Sequence, residues 1–227
     1  MQVVILAGGL GTRLRPLTYQ IPKPLVPVHG KPFLEYQLEL LKKHGLKDVI
    51  LCVGYLGNKI KDYFGKGEKI GLDLSYSFEE KPLGTGGALK NAQNILEDEF
   101  LLMNGDTFLD FDYQDLISYF YKQKKMGTMV VFKNQPKIML NNVTINDRNK
   151  VINYNKKMEG KANCVDAGIQ IFRKSVLDFI PENEKISLEE KIFPILIKNK
   201  EMIAFPVNQR FYDIGTFKQL KKFNQIL

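Results

Sequence analysis

Cysteine and histidine are scarce in this 227-residue chain, which contains only Cys52, Cys164, His29 and His44 of these two types. Both cysteines lie in apolar runs, so we expect buried free thiols and a reducing compartment rather than a disulfide framework. Neither cysteine has a basic neighbour that would indicate a nucleophile. The histidines lie near turns without metal-ligand spacing, so we expect them at the surface.

Long apolar runs are absent as well. No stretch approaches the roughly 20 residues that a membrane-spanning helix needs. The first nine residues contain no basic segment, and their apolar run is too short for a signal peptide. We therefore expect a cytoplasmic protein that has no membrane partner.

The sequence does have an excess of positive charge: 33 Lys and Arg residues against 25 Asp and Glu residues give a net charge of +8. Such a charge suits nucleic acid, an acidic membrane surface or phosphorylated small molecules. The densest lysine clusters, at residues 122–125 and 218–222, lie in helix-like segments and are explained by a solvated helix face. Because no nucleic-acid recognition motif is present, we expect no nucleic-acid partner.

Short apolar runs alternate with helical patterns in the first half of the sequence. The apolar runs predict strands at residues 2–7, 48–53, 72–78 and 99–103. Helical spacing predicts helices over residues 33–43, 57–64 and 85–96. Strand–helix–strand repeats of this kind predict an α/β fold, a Rossmann-like mixed and mostly parallel sheet sandwiched by helices.

The second half is less regular. It predicts helices over residues 113–125, 187–199 and 216–226, and strands over residues 127–133, 142–145, 151–155, 164–172 and 202–207. The short strands in the middle predict a small antiparallel extension. No repeat or Pro-, Gly- or Ser-rich linker divides the chain, so we expect a single domain over residues 1–227.

A glycine-rich segment follows the first predicted strand: residues 6–18 read Leu-Ala-Gly-Gly-Leu-Gly-Thr-Arg-Leu-Arg-Pro-Leu-Thr. It lies at the carboxyl edge of the sheet, where open α/β proteins bind ligands. Its glycines let backbone amides approach an anion, and Arg13 adds a fork of donors suited to phosphate. The spacing matches neither the P-loop nor Gly-x-Gly-x-x-Gly, so these residues alone equally allow a tight structural turn.

Ten residues after Arg13, residues 22–28 read Pro-Lys-Pro-Leu-Val-Pro-Val. The prolines hold this loop extended and fix the direction of Lys23. A rigidly placed ammonium group is a good partner for phosphate charge that shifts during transfer. The plainer alternative is an ordinary surface lysine.

The first strand, the glycine-rich segment and Pro-Lys-Pro-Leu together resemble the signature of the sugar-phosphate nucleotidylyltransferases. Enzymes of this family join a sugar 1-phosphate to a nucleoside triphosphate and release pyrophosphate. The resemblance implies the nucleotide-diphospho-sugar transferase fold, these two substrates as partners and Mg²⁺ as cofactor, and leaves a homodimer open. The attacking phosphate is already anionic, so the reaction requires positioning and charge neutralisation but no protein nucleophile.

The resemblance continues in residues 80–88, Glu-Lys-Pro-Leu-Gly-Thr-Gly-Gly-Ala, which match the family loop that reads the base with backbone groups. Helix capping by Thr85 is the structural alternative, and both roles are compatible. The resemblance implies catalytic roles for Arg13, Lys23 and Asp106. The nucleotide-binding residues that it implies are Leu6, Ala7, Gly8, Gly9, Gly11, Thr12, Arg13, Lys23, Glu80, Gly84, Thr85 and Gly86.

Two aspartates match the metal ligands of the family. Asp106 ends the segment Asn-Gly-Asp after a predicted strand, and Asp213 lies in Phe-Tyr-Asp-Ile-Gly-Thr at residues 211–216, which resembles Trp-x-Asp-Ile-Gly-Thr. A lone aspartate at a strand end is usually a cap or turn residue. Two of them at the expected places beside a phosphate loop indicate a metal site, and carboxylate oxygens suit Mg²⁺.

The sugar-phosphate residues implied by the resemblance are Asn104, Lys157, Asp166 and Gly168. A shift of one residue would replace Lys157 by Lys156 in this role. The sequence departs from the family pattern here, because lysine at 156 replaces a glutamate and aspartate at 166 stands where asparagine is common. These departures leave the identity of the sugar open and do not affect the phosphate chemistry.

Among the branches of the family, the chain most resembles the D-glycero-D-manno-heptose 1-phosphate guanylyltransferases, through residues 80–88 and through Ile-Ser-Leu-Glu-Glu at residues 186–190. The second segment also reads as a helix capping box from Ser187 to Glu190. The branch implies transfer of GMP from GTP to this heptose phosphate for surface polysaccharide synthesis. Mannose 1-phosphate guanylyltransferases and short uridylyltransferases are the nearest alternatives; a non-catalytic nucleotide-sugar sensor and an RNA-binding domain are remote ones.

Overall fold

The computed structural model describes residues 1–135, 138–155 and 162–226. Its strands are β1 (Gln2–Leu6), β2 (Pro27–Val28), β3 (Lys31–Pro32), β4 (Asp48–Val53), β5 (Asp73–Phe78), β6 (Glu99–Asn104), β7 (Thr107–Phe108), β8 (Gly127–Phe132), β9 (Val143–Ile145), β10 (Val151–Tyr154), β11 (Val165–Arg173), β12 (Met202–Val207) and β13 (Tyr212–Asp213). Its helices are α1 (Phe33–Lys43), α2 (Gly57–Phe64), α3 (Gly84–Asn91), α4 (Tyr113–Gln123), α5 (Phe193–Lys198) and α6 (Phe217–Asn224).

Seven strands form one central sheet in the order β12-β8-β11-β6-β1-β4-β5. All neighbouring pairs are parallel except those of β11, which runs antiparallel to both β6 and β8. β9 and β10 form a small antiparallel pair beside the sheet, as the short strands of the second half predict. The predicted α/β architecture is confirmed.

The sheet is covered on both faces because its inner strands are apolar throughout. In β1 the buried side chains alternate: Val3 and Ile5 belong to one core cluster, and Val4 belongs to the other. The first cluster includes apolar residues of α1, α2 and α4, whereas the second includes those of α3 and α5. The period of two along the strand therefore places helices on both sides of the sheet.

β1 lies where the order of the strands reverses, because the chain adds β4 on one side of it and β6 on the other. Leu6, the last residue of β1, is in register with Cys52 of β4 and Asn104 of β6. Three carboxyl ends therefore meet at one edge. Such a topological switch point is the usual ligand-binding crevice of open α/β sheets.

A third, smaller apolar cluster lies beside this edge and joins the two ends of the chain. It includes Leu14 and Val26 from the first long loop, and Ile214 and Phe223 from the C-terminal segment. The rings of Phe33 and Phe223 meet edge to face, with centroids 5.0 Å apart. This packing holds the loop that carries Arg13 and Lys23 against the segment that carries Asp213.

Two helices of the structure differ from the predicted ones, one in its length and the other in its helix type. The helix predicted over residues 85–96 ends at Asn91, whose side-chain amide donates to the Phe78 carbonyl oxygen at 3.0 Å. The helix predicted over residues 187–199 begins as a π-helical turn, Leu188–Ile192, and becomes α5 near Pro194, which has no amide hydrogen to donate.

Predictions about the scarce residues are largely confirmed. Cys52 and Cys164 are buried and free, and His29 is exposed. His44 is instead half-buried, with its ring centroid 5.0 Å from that of Tyr113, so the expectation of a surface histidine is wrong there. Among the described residues, no helix has the length and apolar character needed to cross a bilayer.

Candidate active site

A cavity of about 470 Å³ opens at the carboxyl ends of β1, β4 and β6. Its wall contains ten of the predicted site residues: Leu6, Ala7, Gly8, Gly9, Arg13, Lys23, Gly84, Thr85, Asn104 and Asp106. It also contains residues that were not predicted as site residues: Leu10, Pro24, Cys52, Glu79, Pro82, Ala88, Gly105, Lys185 and Glu189. The structure therefore gathers distant parts of the sequence around one cavity.

Gly11 belongs to the glycine-rich loop and determines its backbone conformation. Its φ of 61° lies in the left-handed region, and a Cβ there would come within 3.0 Å of the Thr18 side chain and 3.2 Å of that of Lys23. Neither Gly11 nor Thr12 lies in the cavity wall. The left-handed conformation of Gly11 turns the chain two residues before Arg13, which does line the cavity.

Four charged residues, Arg13, Lys23, Asp106 and Asp213, form what we call the charged cluster. The Lys23 ammonium forms an ion pair with Oδ2 of Asp106, and the Thr107 hydroxyl donates to the other carboxylate oxygen at 3.2 Å. β13 pairs with β7 so that Asp213 lies opposite Thr107. The pairing of these two short strands therefore brings the two predicted metal ligands together from distant parts of the sequence.

The electrostatics of the charged cluster reflect this proximity. Burial raises the pKa of Asp213, the Gly215 amide lowers it, the negative charge of Asp106 raises it, and the cations Lys23 and Arg13 lower it. The net direction is upward. Burial is the largest of these causes, so the upward shift mainly reflects the removal of the Asp213 carboxylate from water.

The donor set of the charged cluster fits a divalent cation. The Asp106 carboxylate already pairs with one cation, the Lys23 ammonium. Across the described ranges, no group of three or more His, Cys, Asp and Glu side chains forms a metal site. The chain would thus supply only two carboxylates and leave the other positions to water and phosphate, a set typical of Mg²⁺ sites.

Of the residues predicted to bind the sugar, Asn104 lines the cavity and Gly168 lies against it. Gly168 has a φ of 69°, and a Cβ there would come within 2.7 Å of the side-chain nitrogen of Asn104. Gly168 therefore allows Asn104 to lie close to β11. Neither Gly168 nor Asp166 lines the cavity, and the predicted Lys157 and its alternative Lys156 are outside the described residues.

Asp166 is tightly hydrogen-bonded within β11 and to its neighbour β10. Its carboxylate accepts from the Gly168 amide at 2.9 Å, from the Gln170 side chain at 3.0 Å and from the Tyr154 hydroxyl at 3.2 Å. Burial raises its pKa to about 7; the nearby charge of Glu189 also raises it, whereas the three hydrogen bonds lower it. The aspartate that departs from the family pattern therefore titrates near neutral pH.

The cavity wall contains a glutamate beside α3, but it is not the predicted one. Glu80 is exposed and lies outside the cavity wall, which instead contains Glu79. The Glu79 carboxylate accepts from the Leu83 amide at 3.1 Å, and its other oxygen lies so close to Gly8 that a Cβ on that glycine would come within 2.7 Å. Burial raises the pKa of Glu79, and the Leu83 hydrogen bond lowers it.

The glycines that begin α3 pack against a second segment of the chain, residues 184–186. Gly84 has a φ of 72°, and a Cβ there would come within 2.6 Å of the Ile186 carbonyl oxygen. The Gly86 amide donates to the same oxygen at 2.8 Å, and Gly86 itself lies outside the cavity wall. A Cβ on Gly87 would overlap the carbonyl oxygen of Glu184. These glycines therefore permit close docking of two backbones.

This docking predicts a stability effect for Gly87→Ala. Overpacking costs about 1–3 kcal/mol, and contact with a backbone carbonyl puts this position at the upper end. The cost exceeds the ~1 kcal/mol that alanine gains over glycine in a helix. We expect the melting temperature to fall by about 4–8 °C in thermal denaturation followed by circular dichroism.

Gly9→Ala is the matched stability control, because a Cβ on Gly9 would have no atom within 4 Å. Its melting temperature should stay within about 1–2 °C of that of the unchanged protein. Equal melting temperatures for the Gly87→Ala variant and the unchanged protein would show that residues 184–186 do not pack as described.

The fold and the cavity define an α/β protein with a ligand-binding crevice at the switch point of its sheet. The sequence matches the Nucleotidyl transferase family over residues 2–227, and the chain belongs to that family. It is accordingly a nucleotidyltransferase of the kind that acts on sugar phosphates. Members of this family generally use a divalent metal ion.

Two relatives illustrate the range of the family. The chain is 39% identical over 216 residues to a D-glycero-alpha-D-manno-heptose 1-phosphate guanylyltransferase of Campylobacter jejuni, an alignment that covers 95% of each protein. It is 37% identical over 219 residues to the catalytic subunit beta of a mannose-1-phosphate guanylyltransferase of Drosophila melanogaster. In that case 94% of this chain aligns with only 59% of the longer relative.

Two solved structures have the same architecture as this chain. HddC from Yersinia pseudotuberculosis, crystallised with GMP-PN, superposes with a TM-score of 0.83 at 30% identity, covering 99% of this chain and 98% of HddC. A putative glucose-1-phosphate thymidylyltransferase from Bacillus anthracis gives a TM-score of 0.87 at 23% identity, covering 100% of this chain and 94% of that protein. The second likeness supports the fold alone.

Proposed function

We propose that this chain, as a single catalytic domain in the cytoplasm, transfers GMP from GTP to D-glycero-D-manno-heptose 1-phosphate. The products are a GDP-heptose for surface polysaccharide synthesis and pyrophosphate. The Glu79 carboxylate in the cavity wall is the observation that favours GTP. The heptose relative, aligned over 95% of each chain, favours the sugar. Whether the enzyme is a homodimer stays a prediction.

The chemistry of guanine explains the importance of Glu79. A carboxylate only accepts hydrogen bonds, and guanine offers two adjacent donors, its N1–H and its amino group. Uracil and thymine offer a single N–H that lies between two carbonyl oxygens, and a carboxylate repels these oxygens. The Leu83 amide orients Glu79 beside the glycine-rich loop. An acceptor-only side chain at this end of the cavity therefore selects guanine.

In the proposed reaction an oxygen of the sugar phosphate attacks the α-phosphorus of GTP. The new O–P bond forms as the bond between the α-phosphorus and the bridging oxygen breaks, and pyrophosphate leaves with that electron pair. Arg13 and Lys23 bind the phosphates and offset the charge that develops on the leaving group. Asp106 and Asp213 would hold Mg²⁺, which neutralises phosphate charge when bound.

A panel of pyrophosphate-release assays tests this proposal. It combines GTP, UTP, CTP and dTTP with the 1-phosphates of heptose, mannose, glucose and N-acetylhexosamine. We expect the highest kcat/KM for GTP with the heptose phosphate, at least about tenfold above any other pair. Preference for UTP or dTTP would contradict the guanylyl assignment. Preference for mannose 1-phosphate would favour the second candidate, which the 37% identical relative supports.

Replacing Glu79 with Gln should reduce the preference for GTP over UTP. We expect the ratio of the two kcat/KM values to fall by about 10–100-fold, because a charged hydrogen-bond acceptor is lost. In the unchanged enzyme this ratio should also fall at low pH. The raised pKa of Glu79 means that its carboxylate becomes protonated at a higher pH than an ordinary glutamate. In Glu79→Gln that pH dependence should disappear.

The same substitution at Glu80 compares the two neighbouring positions. Since Glu80 is exposed and lies outside the cavity wall, we expect Glu80→Gln to change the GTP to UTP ratio by less than about threefold. If Glu80→Gln loses the preference and Glu79→Gln keeps it, the position predicted from the sequence is right and our assignment is wrong.

A further inference from the structure

One hydrogen-bond network connects the nucleotide side of the cavity with the segment that follows the docked residues 184–186. The Thr85 hydroxyl donates to Oε2 of Glu189 at 2.9 Å and accepts from the Leu188 amide at 2.8 Å. The Ser187 hydroxyl donates to the same Glu189 oxygen at 2.5 Å. Thr85 belongs to α3, next to the glycine-rich loop, and more than 100 residues separate it from Glu189.

Backbone hydrogen bonds make this connection rigid. The Ile186 amide donates to the Leu83 carbonyl oxygen at 2.8 Å, and the Gly86 amide donates back to the Ile186 carbonyl oxygen at 2.8 Å. The π-helical turn Leu188–Ile192 therefore begins at a position fixed by α3. The Ser187 hydroxyl caps this turn by accepting from the Glu190 amide at 3.2 Å, and it also donates to Glu189.

Glu189 lies near Thr85, which is predicted to bind the nucleotide, and near Asp166, which is predicted to bind the sugar. It lines the wall together with Thr85, and its charge raises the pKa values of both Asp166 and Tyr154 on the sugar side. A carboxylate placed against the triphosphate would be repelled by it. Against a sugar ring it meets hydroxyl donors, and a carboxylate accepts up to about four hydrogen bonds.

We propose that Glu189 binds a hydroxyl group of the sugar and that Thr85 is a positioning residue that sets the place of this carboxylate. The proposal deepens the proposed function, since it rests on a sugar 1-phosphate as the second substrate. Thr85 acts on the nucleotide through its backbone at the start of α3 and on the sugar through Glu189. One residue thereby aligns the two substrates for in-line attack.

Kinetic constants of Glu189→Gln separate this role from a structural one. We expect the KM for the sugar 1-phosphate to rise by about 10–100-fold, because an amide replaces a charged acceptor. The KM for GTP should change by less than about threefold. Glu190→Gln makes the same change at the next residue, which is exposed and outside the cavity wall, and should leave both constants within about twofold.

Thr85→Val and Thr85→Ser test the positioning residue. Valine keeps the shape and the backbone but removes the hydroxyl, so the sugar KM should rise by about 5–10-fold with little change in the KM for GTP. Serine restores the hydroxyl and should recover most of the affinity. Because Thr85 acts through Glu189, the double variant Thr85→Val/Glu189→Gln should be no worse than Glu189→Gln alone.

The experiment uses whichever nucleotide and sugar phosphate the assay panel identifies as the best pair. A wrong heptose assignment therefore leaves this test intact. Equal increases of both KM values in Glu189→Gln would overturn the proposal. An unchanged sugar KM, or additive effects in the double variant, would also do so. Melting temperatures of all variants within about 3 °C of the unchanged protein show that they are folded.

Discussion

Replacing Asp106 with Asn should lower kcat by about 10³-fold while the protein keeps its fold. The carboxylate of Asp106 lies in the charged cluster with Asp213, where two negative groups and the substrate phosphates would share one cation. Asparagine keeps the shape and can still accept from Thr107, but it removes one of the two charges that bind a metal ion. Steady-state pyrophosphate release at saturating Mg²⁺, with the melting temperature as a fold check, measures the effect.

Asp110→Asn is the matched control for this prediction. Asp110 lies four residues further along the chain, but its carboxylate is exposed and pairs with Lys43 at 3.3 Å. We expect kcat within about twofold of that of the unchanged enzyme. Near-normal turnover of the Asp106→Asn variant would refute its role as a metal ligand.

Lys23→Met should lower kcat by about 10²–10³-fold, an effect of the size found when one preorganised donor to a developing charge is removed. In the structure the Lys23 ammonium contacts Asp106 from a loop fixed by Pro22 and Pro24. Methionine keeps most of the apolar length of the side chain but neither neutralises Asp106 nor offsets the charge of the leaving pyrophosphate. Single-turnover measurement of GMP transfer separates this loss from slow product release.

Lys31→Met removes a lysine from the same long loop region and serves as its control. Lys31 pairs with Glu39 at 2.6 Å outside the cavity, so the rate should stay within about twofold. If the two lysine variants lose activity equally, the effect of Lys23→Met comes from net charge and not from its place in the charged cluster.

The sequence predicts those parts of the fold that depend on short-range patterns. Apolar runs and helical spacing locate β1, β4 and β6, and the carboxyl ends of these strands create the cavity edge. The segments that carry Arg13, Lys23, Asp106 and Asp213 are each short and distinctive. Their meeting, however, depends on the pairing of β7 with β13 and on the small apolar cluster around Phe223, which no local pattern reveals.

Other parts of the site depend on contacts that are invisible in the sequence. Glu79 and Glu80 are adjacent, and the turn after β5 determines which of them enters the cavity. Gly86 resembles a ligand-binding glycine in the sequence, but it lies against Ile186. Glu189 lies inside the segment that was interpreted as a capping box from Ser187 to Glu190, and its hydrogen bond from Thr85 arises only once α3 and the later segment dock. Predicting this hydrogen bond would have required knowing that residues 83–87 and 184–189 contact each other.

Mn²⁺ binding tests most directly whether the two aspartates form one metal site. Mn²⁺ replaces Mg²⁺ in this experiment, and its binding is measured by electron paramagnetic resonance in the presence of a non-hydrolysable GTP analogue. The account predicts one tightly bound ion per chain in the presence of the analogue. It predicts that Asp106→Asn and Asp213→Asn each weaken this binding by at least about tenfold. Unchanged Mn²⁺ affinity in either variant would contradict a shared site.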